Sequence, residues 1–217
     1  MSDTPGKTSN PGEDLWSQMQ QQYPGIDTSG IAYKYNPARK GAQGYLETYP
    51  PQEAGSPEQP RPKEFPIDKP GVEVYRTDTK PSDIAGDITS HILINSDPQV
   101  KQAYELFTKS LTPDQKDILK EQYAYAQKNE GEKRPYDQWE KQTGIPAYFR
   151  GYTFNQWPDV KNDDKWYHPE QRKLLDAVNQ HLMSKSETTP AKPDIVSAQQ
   201  RAPLKEQDHA GQSTPRP

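Results

Sequence analysis

Proline divides this chain into stretches that can fold and stretches that cannot, because most of its 23 prolines fall in two patterns. In the first, a proline stands one residue inside the start of a periodic stretch: Asp97-Pro98, Thr112-Pro113, Arg134-Pro135, Ile145-Pro146 and His168-Pro169. At the first helical position a missing N–H costs nothing and the fixed φ suits the turn. Asp97 and Thr112 are also good N-caps. In the second pattern prolines recur with no helical or strand period, at Pro37, Pro50, Pro51, Pro57, Pro60, Pro62, Pro66, Pro70 and Pro81, and again at Pro190, Pro193, Pro203, Pro215 and Pro217. That spacing favours extended, polyproline-like chain.

Only 29% of the 217 residues are apolar, and the mean hydropathy is -1.21. Globular domains run at roughly 45–50%. Such a chain feeds one core, and the rest cannot offset a backbone entropy of about 1–2 kcal/mol per residue. The expected organisation is a flexible tip over 1–12, a short amphipathic helix over 13–24, an extended Pro/Tyr-rich arm over 25–81, a helical domain over 82–186 and a disordered tail over 187–217, in which only Ile195-Val196 offers an apolar docking point.

The helical domain is read from its stripes. Ile84, Ile88 and Ile92 recur every fourth residue from a start at Ser82. Val100, Tyr104 and Phe107 line the next helix, then Ile118, Leu119, Tyr123 and Ala126, then Tyr136 and Trp139, the last stopped by Gly144. Leu174, Leu175, Val178 and Leu182 stripe the final one. About 105 residues of this kind suffice for a compact core. The predicted fold class is therefore all-α, a small bundle of short helices flanked by extended proline-rich disordered arms.

Glu13 to Tyr23 places Leu15, Trp16, Met19 and Tyr23 on one face before Pro24 and Gly25 end it. A helix this short is marginal alone and needs its apolar face covered, by its own core or by a partner's groove. In the arm, Tyr33, Tyr35, Tyr45 and Tyr49 are interleaved with prolines, which suggests extended chain laid along a partner surface, each ring filling a pocket. Val72 to Tyr75 carries a short strand signal.

Charge and motifs exclude several classes. The 27 basic and 31 acidic residues are interspersed, giving a net charge of -4 and no footprint for nucleic acid or an anionic membrane. Met1 to Asn10 has no apolar leader core, and no apolar run approaches the ~20 residues of a spanning helix. With no cysteine and with His91, His168, His181 and His209 in no ligand spacing, neither a disulfide framework nor a zinc site is expected. Asp163-Asp164 lacks the rest of a calcium loop and reads as loop solvation. No nucleophile elbow, phosphate loop or dinucleotide fingerprint is present. The chain is accordingly read as non-enzymatic and without cofactors.

The densest constellation runs from Tyr148 to Pro158, with Phe149, Arg150, Tyr152, Phe154 and Trp157, and is joined by Trp166 and Tyr167. Such a cluster serves either as core or as a stacking platform, with Arg150 free for a cation–π or bidentate contact. The string Asp97-Pro98, Leu111-Thr112-Pro113-Asp114-Gln115, Gly131-Glu132, Arg134-Pro135-Tyr136-Asp137-Gln138-Trp139, Tyr148-Phe149-Arg150-Gly151-Tyr152 and Asn155-Gln156-Trp157 resembles helical segments of bacteriophage virion-associated proteins, including the very large polyvalent ones, over about residues 83–183. That resemblance implies a virion component with no catalytic residues to carry over. The expectation is a structural or docking protein of a bacteriophage particle, soluble in the host cytoplasm before assembly, whose partners are other protein subunits, with no nucleic acid and no membrane. Its partner-binding residues are expected to be Trp16, Tyr33, Tyr35, Tyr45, Tyr49, Arg150, Trp157 and Trp166. The alternatives are a virion-carried or injected cell-wall-degrading enzyme or its accessory, and a bacterial adaptor with proline-rich recruitment segments.

Overall fold

A computed structural model describes residues 11–37, 46–51 and 61–184. All of them belong to one unit, Met1–Ser186; the second unit, Glu187–Pro217, lies outside the described residues. The expected tail with Ile195-Val196 and His209, most of the expected tip, and Tyr45 therefore also lie outside them.

Helices dominate, and most start where proline placed them. Helix α1 (Pro11–Gln22) buries Met19 and lays Leu15 and Trp16 on the core, where Tyr23 joins them just past its end. Helix α2 (Pro81–Ile88) continues through a five-residue π turn (Thr89–Leu93) into α3 (Ile94–Ser96), with Ile84 and Ile88 fully buried. Helix α4 (Pro98–Lys109) opens behind Asp97, whose carboxylate accepts from the amides of Gln99 and Val100. Helix α5 (Pro113–Asn129) opens behind Thr112, and α8 (Pro169–Met183) behind His168.

A helix does open at Ile145-Pro146, but not after the expected stop at Gly144. Helix α6 (Tyr136–Trp139) begins behind Pro135, and the chain runs on through a second π turn (Glu140–Gly144) into α7 (Ile145–Thr153) without a break. Pro146 has no N–H to give the carbonyl four residues back, and the wider bonding of a π turn just before it removes that demand. Gly144 does not stop the helix: a Cβ there would stand 2.6 Å from the Trp139 ring, so glycine is what lets the indole lie on the backbone.

The all-α class holds in part: the protein is helix-rich, with a small sheet added. Strands β1 (Ala32–Tyr35), β2 (Leu46–Tyr49) and β3 (Gly71–Val74) form a three-stranded sheet in the order β1-β3-β2, with β3 parallel to β1 and antiparallel to β2. Alternation gives the sheet two faces. Val72 and Val74 are fully buried in the same cluster as Met19, Ile84, Ile88, Phe107, Phe149, Leu175 and Leu182, with Tyr33, Tyr35 and Leu46 packed against it. The described parts of 25–81 are thus part of the folded body and not an arm; the strand signal at Val72 to Tyr75 was the visible end of a sheet. Arg61 fastens the turn before β3, donating to the carbonyls of Pro50, Ile67 and Lys69 (2.8 Å for Lys69).

Candidate functional site

Three constellations gather polar and aromatic side chains. The first lies on the outer face of the sheet. Register sets Lys34, Glu73 and Glu47 side by side on β1, β3 and β2. Two glutamates directly opposite each other repel, so the pair has to be held by donors. The Tyr49 hydroxyl donates to Glu47 (2.5 Å), and that of Tyr75 lies 2.6 Å from Glu47 and 3.1 Å from Glu73. Asn36 donates to Glu73 (2.9 Å), and the Lys34 ammonium stands 3.9 Å from it. Glu73 is only 2% exposed. Burial foremost, then the hydrogen bonds with Glu47 and Tyr49, push the Tyr75 hydroxyl well above its ordinary pKa, so it remains a donor. The sequence carried a signal for this: Glu47-Thr48-Tyr49 and Glu73-Val74-Tyr75 repeat one Glu-x-Tyr step, and a period of two puts each glutamate and its tyrosine on one face.

The second constellation joins layers. Asp87 on α2 accepts from Thr48 on β2 through Oδ2 and pairs with Arg150 on α7 through Oδ1. His91, in the first π turn, holds its Nε2 at 3.8 Å from the same Oδ1.

The third is the aromatic cluster. Tyr148 is fully buried, stacks on Tyr167 at 4.9 Å, and lies 6.0 Å from Trp157 and 5.9 Å from Trp166. Those two indoles meet edge to face at 6.0 Å and are half-buried. Trp157 lies on the backbone at Gly151, where a Cβ would stand 2.6 Å from its ring. The Trp166 carbonyl accepts from the Tyr148 hydroxyl and from Gln115 Nε2, 2.8 Å away for the latter. Two anchors therefore hold Trp166, and a packed glycine holds Trp157.

Against this geometry the expected partner-binding residues separate. Trp16 stacks on Tyr33 at 4.4 Å, the Tyr33 hydroxyl donates to the Gly12 carbonyl (2.9 Å), and Tyr35 lies against Gly12. Burial, then the neighbouring Tyr35, pushes the Tyr33 hydroxyl up to about 12. Tyr49 is buried under Phe65. Arg150 pairs with Asp87. Of these five, Tyr49 is buried in the folded body, whereas Trp16, Tyr33, Tyr35 and Arg150 pack on it and keep part of their surface. Trp157 and Trp166 remain partly exposed, and Tyr45 lies outside the described residues.

Among the described residues no group of three or more acidic, histidine or cysteine side chains is placed to hold a metal ion, and no helix is long and apolar enough to cross a membrane. Compared with known proteins, the chain matches no family model, no curated protein and no solved structure.

Proposed function

We propose that this chain is a non-enzymatic docking component of a bacteriophage virion, soluble in the host cytoplasm before assembly, that binds a neighbouring protein subunit through Trp157 and Trp166. The observation that supports this reading is the preset indole pair, seated on buried Tyr148 and fixed through Gly151 and Gln115. Rigid, partly exposed tryptophans lose little entropy on binding and are the side chains most enriched in interface hot spots. The virion assignment rests on the resemblance of residues 83–183 to phage virion-associated proteins.

The test is incorporation. Purified particles are assayed for the wild-type chain and for Trp157→Ala, with circular dichroism confirming that the variant folds. The expected result is wild-type chain in the particle and at least a tenfold loss for the folded variant, since a hot-spot truncation costs about 2 kcal/mol or more. Absence of the wild-type chain from particles, or unchanged incorporation of the variant, overturns the reading.

A further inference from the structure

The Asp87 junction joins the sheet to α2 and α7. Its carboxylate is the meeting point of three elements, with Thr48 on one oxygen and Arg150 on the other. His91 stands one helical step along, close enough to feel the carboxylate but, at 3.8 Å, too far to bond it. The charged groups facing the ring are Asp87 from α2 and Arg150 from α7. Asn95 of α3 meets only the His91 carbonyl, and no hydrogen bond or ion pair joins the ring to α4 among the described residues.

A neutral imidazole leaves this arrangement undisturbed. A protonated one adds a cation beside the Arg150 guanidinium and seeks the same oxygen. To form a charge-assisted bond it has to close to about 2.8 Å, which draws the carboxylate away from one of its two present donors. Arg150 holds by charge, whereas Thr48 holds by a neutral hydroxyl. We propose that Asp87 is an acid-sensitive rivet: protonation of His91 pulls its carboxylate off Thr48 and releases the sheet from α2.

The sign agrees. Burial, and then the Arg150 charge, outweigh Asp87 and hold the His91 ring below its ordinary pKa. The folded state thus takes the proton less readily than the opened one, and attachment that is complete above pH about 6.5 weakens as pH falls toward the folded value. Strands of four residues do not persist alone, so a sheet that leaves α2 also exposes its own amides.

Hydrogen exchange on the full chain between pH 7.5 and 5, corrected for intrinsic rates, tests this. Amides of Leu46–Tyr49 and Gly71–Val74 are expected to lose protection relative to α5 by up to about tenfold per pH unit, the slope of one proton taken up on opening. In His91→Gln that differential is expected to vanish. In the wild type, the loss is expected to begin near pH about 6.5 and to level off at the midpoint of the His91 ring titration followed by NMR. A pH-independent ratio in the wild type, a differential retained in His91→Gln, or a loss that runs on below that midpoint overturns the rivet.

Discussion

Asp97 shows how much one side chain settles in this fold. Its Oδ1 accepts from the amides of Gln99 and Val100, both at 2.9 Å, and its Oδ2 lies 3.1 Å from Nε2 of His181 in the last turn of α8. One carboxylate thus caps α4 and ties it to the far end of α8. Burial pushes its pKa up, but the hydrogen bond from His181 and those from Val100 and Gln99 win, and it sits below the ordinary value. A lowered carboxylate contributes stability that is present above the unfolded value of about 3.9 and is lost as pH falls through the folded one. Asp97→Ala is expected to cost about 1–2 kcal/mol in urea unfolding at pH 7. Asp97→Asn, an equally good cap, is expected to cost less and to flatten the acid limb below about pH 4. Equal losses for the two variants would show that the cap contributes nothing and packing everything. This residue was legible in the sequence as an N-cap; its link to His181 was not, because 84 positions separate them.

At the scale of elements, the starts of α5 and α8 are near copies: Leu111-Thr112-Pro113-Asp114-Gln115 and Tyr167-His168-Pro169-Glu170-Gln171. In each, the glutamine side chain accepts from the cap amide, closing a capping box. The fold then turns the two boxes toward each other. Gln115 donates to Gln171 at 2.7 Å and to the Trp166 carbonyl; Gln171 donates to Gln115 at 3.1 Å and to Ser110 Oγ. Both amides are buried, and every donor finds an acceptor. Replacing either glutamine by leucine strands the other's polar atoms, at about 2–3 kcal/mol. The double replacement strands fewer groups than the two singles together. A double-mutant cycle by urea unfolding is expected to give a coupling of about 1–2 kcal/mol, and additive losses would mean that the amides do not act as a pair. The boxes were readable one at a time, since a cap and a glutamine three residues on are a local signal. That they interlock, and so position Trp166, is decided by packing.

For the molecule as a whole, the question is whether the helices of 81–183 stand without what precedes them. Their existence was legible because prolines, caps and four-residue stripes are local. The sheet was not: each strand has four residues, β1 and β3 pair in parallel across 39 positions (Ala32 with Gly71), and the surrounding prolines spoke for extended chain, which a strand also is. Low apolar content is no lack of fold here, because a few well-placed residues close the core. Val72, Val74, Met19 and Ile26 are buried with Ile84, Ile88 and Leu182, and Gly25 donates its amide to the Leu182 carbonyl (2.9 Å) at the end of α8. Removing 1–80 would bare that side of α2 and α8 together. Each buried Val, Ile or Met contributes about 1.5–3 kcal/mol, so losing four exceeds much of the 5–15 kcal/mol that domains of this size possess. The full chain is therefore expected to unfold in one urea transition, with tryptophan fluorescence and far-ultraviolet circular dichroism coincident, whereas a fragment of residues 81–184 is expected to keep helical signal but to lose cooperativity and bind a hydrophobic dye. A fragment that melts as sharply as the full chain would return residues 11–80 to the role of an appendage, and with them Tyr33, Tyr35 and Tyr49 to the surface of whatever they bind.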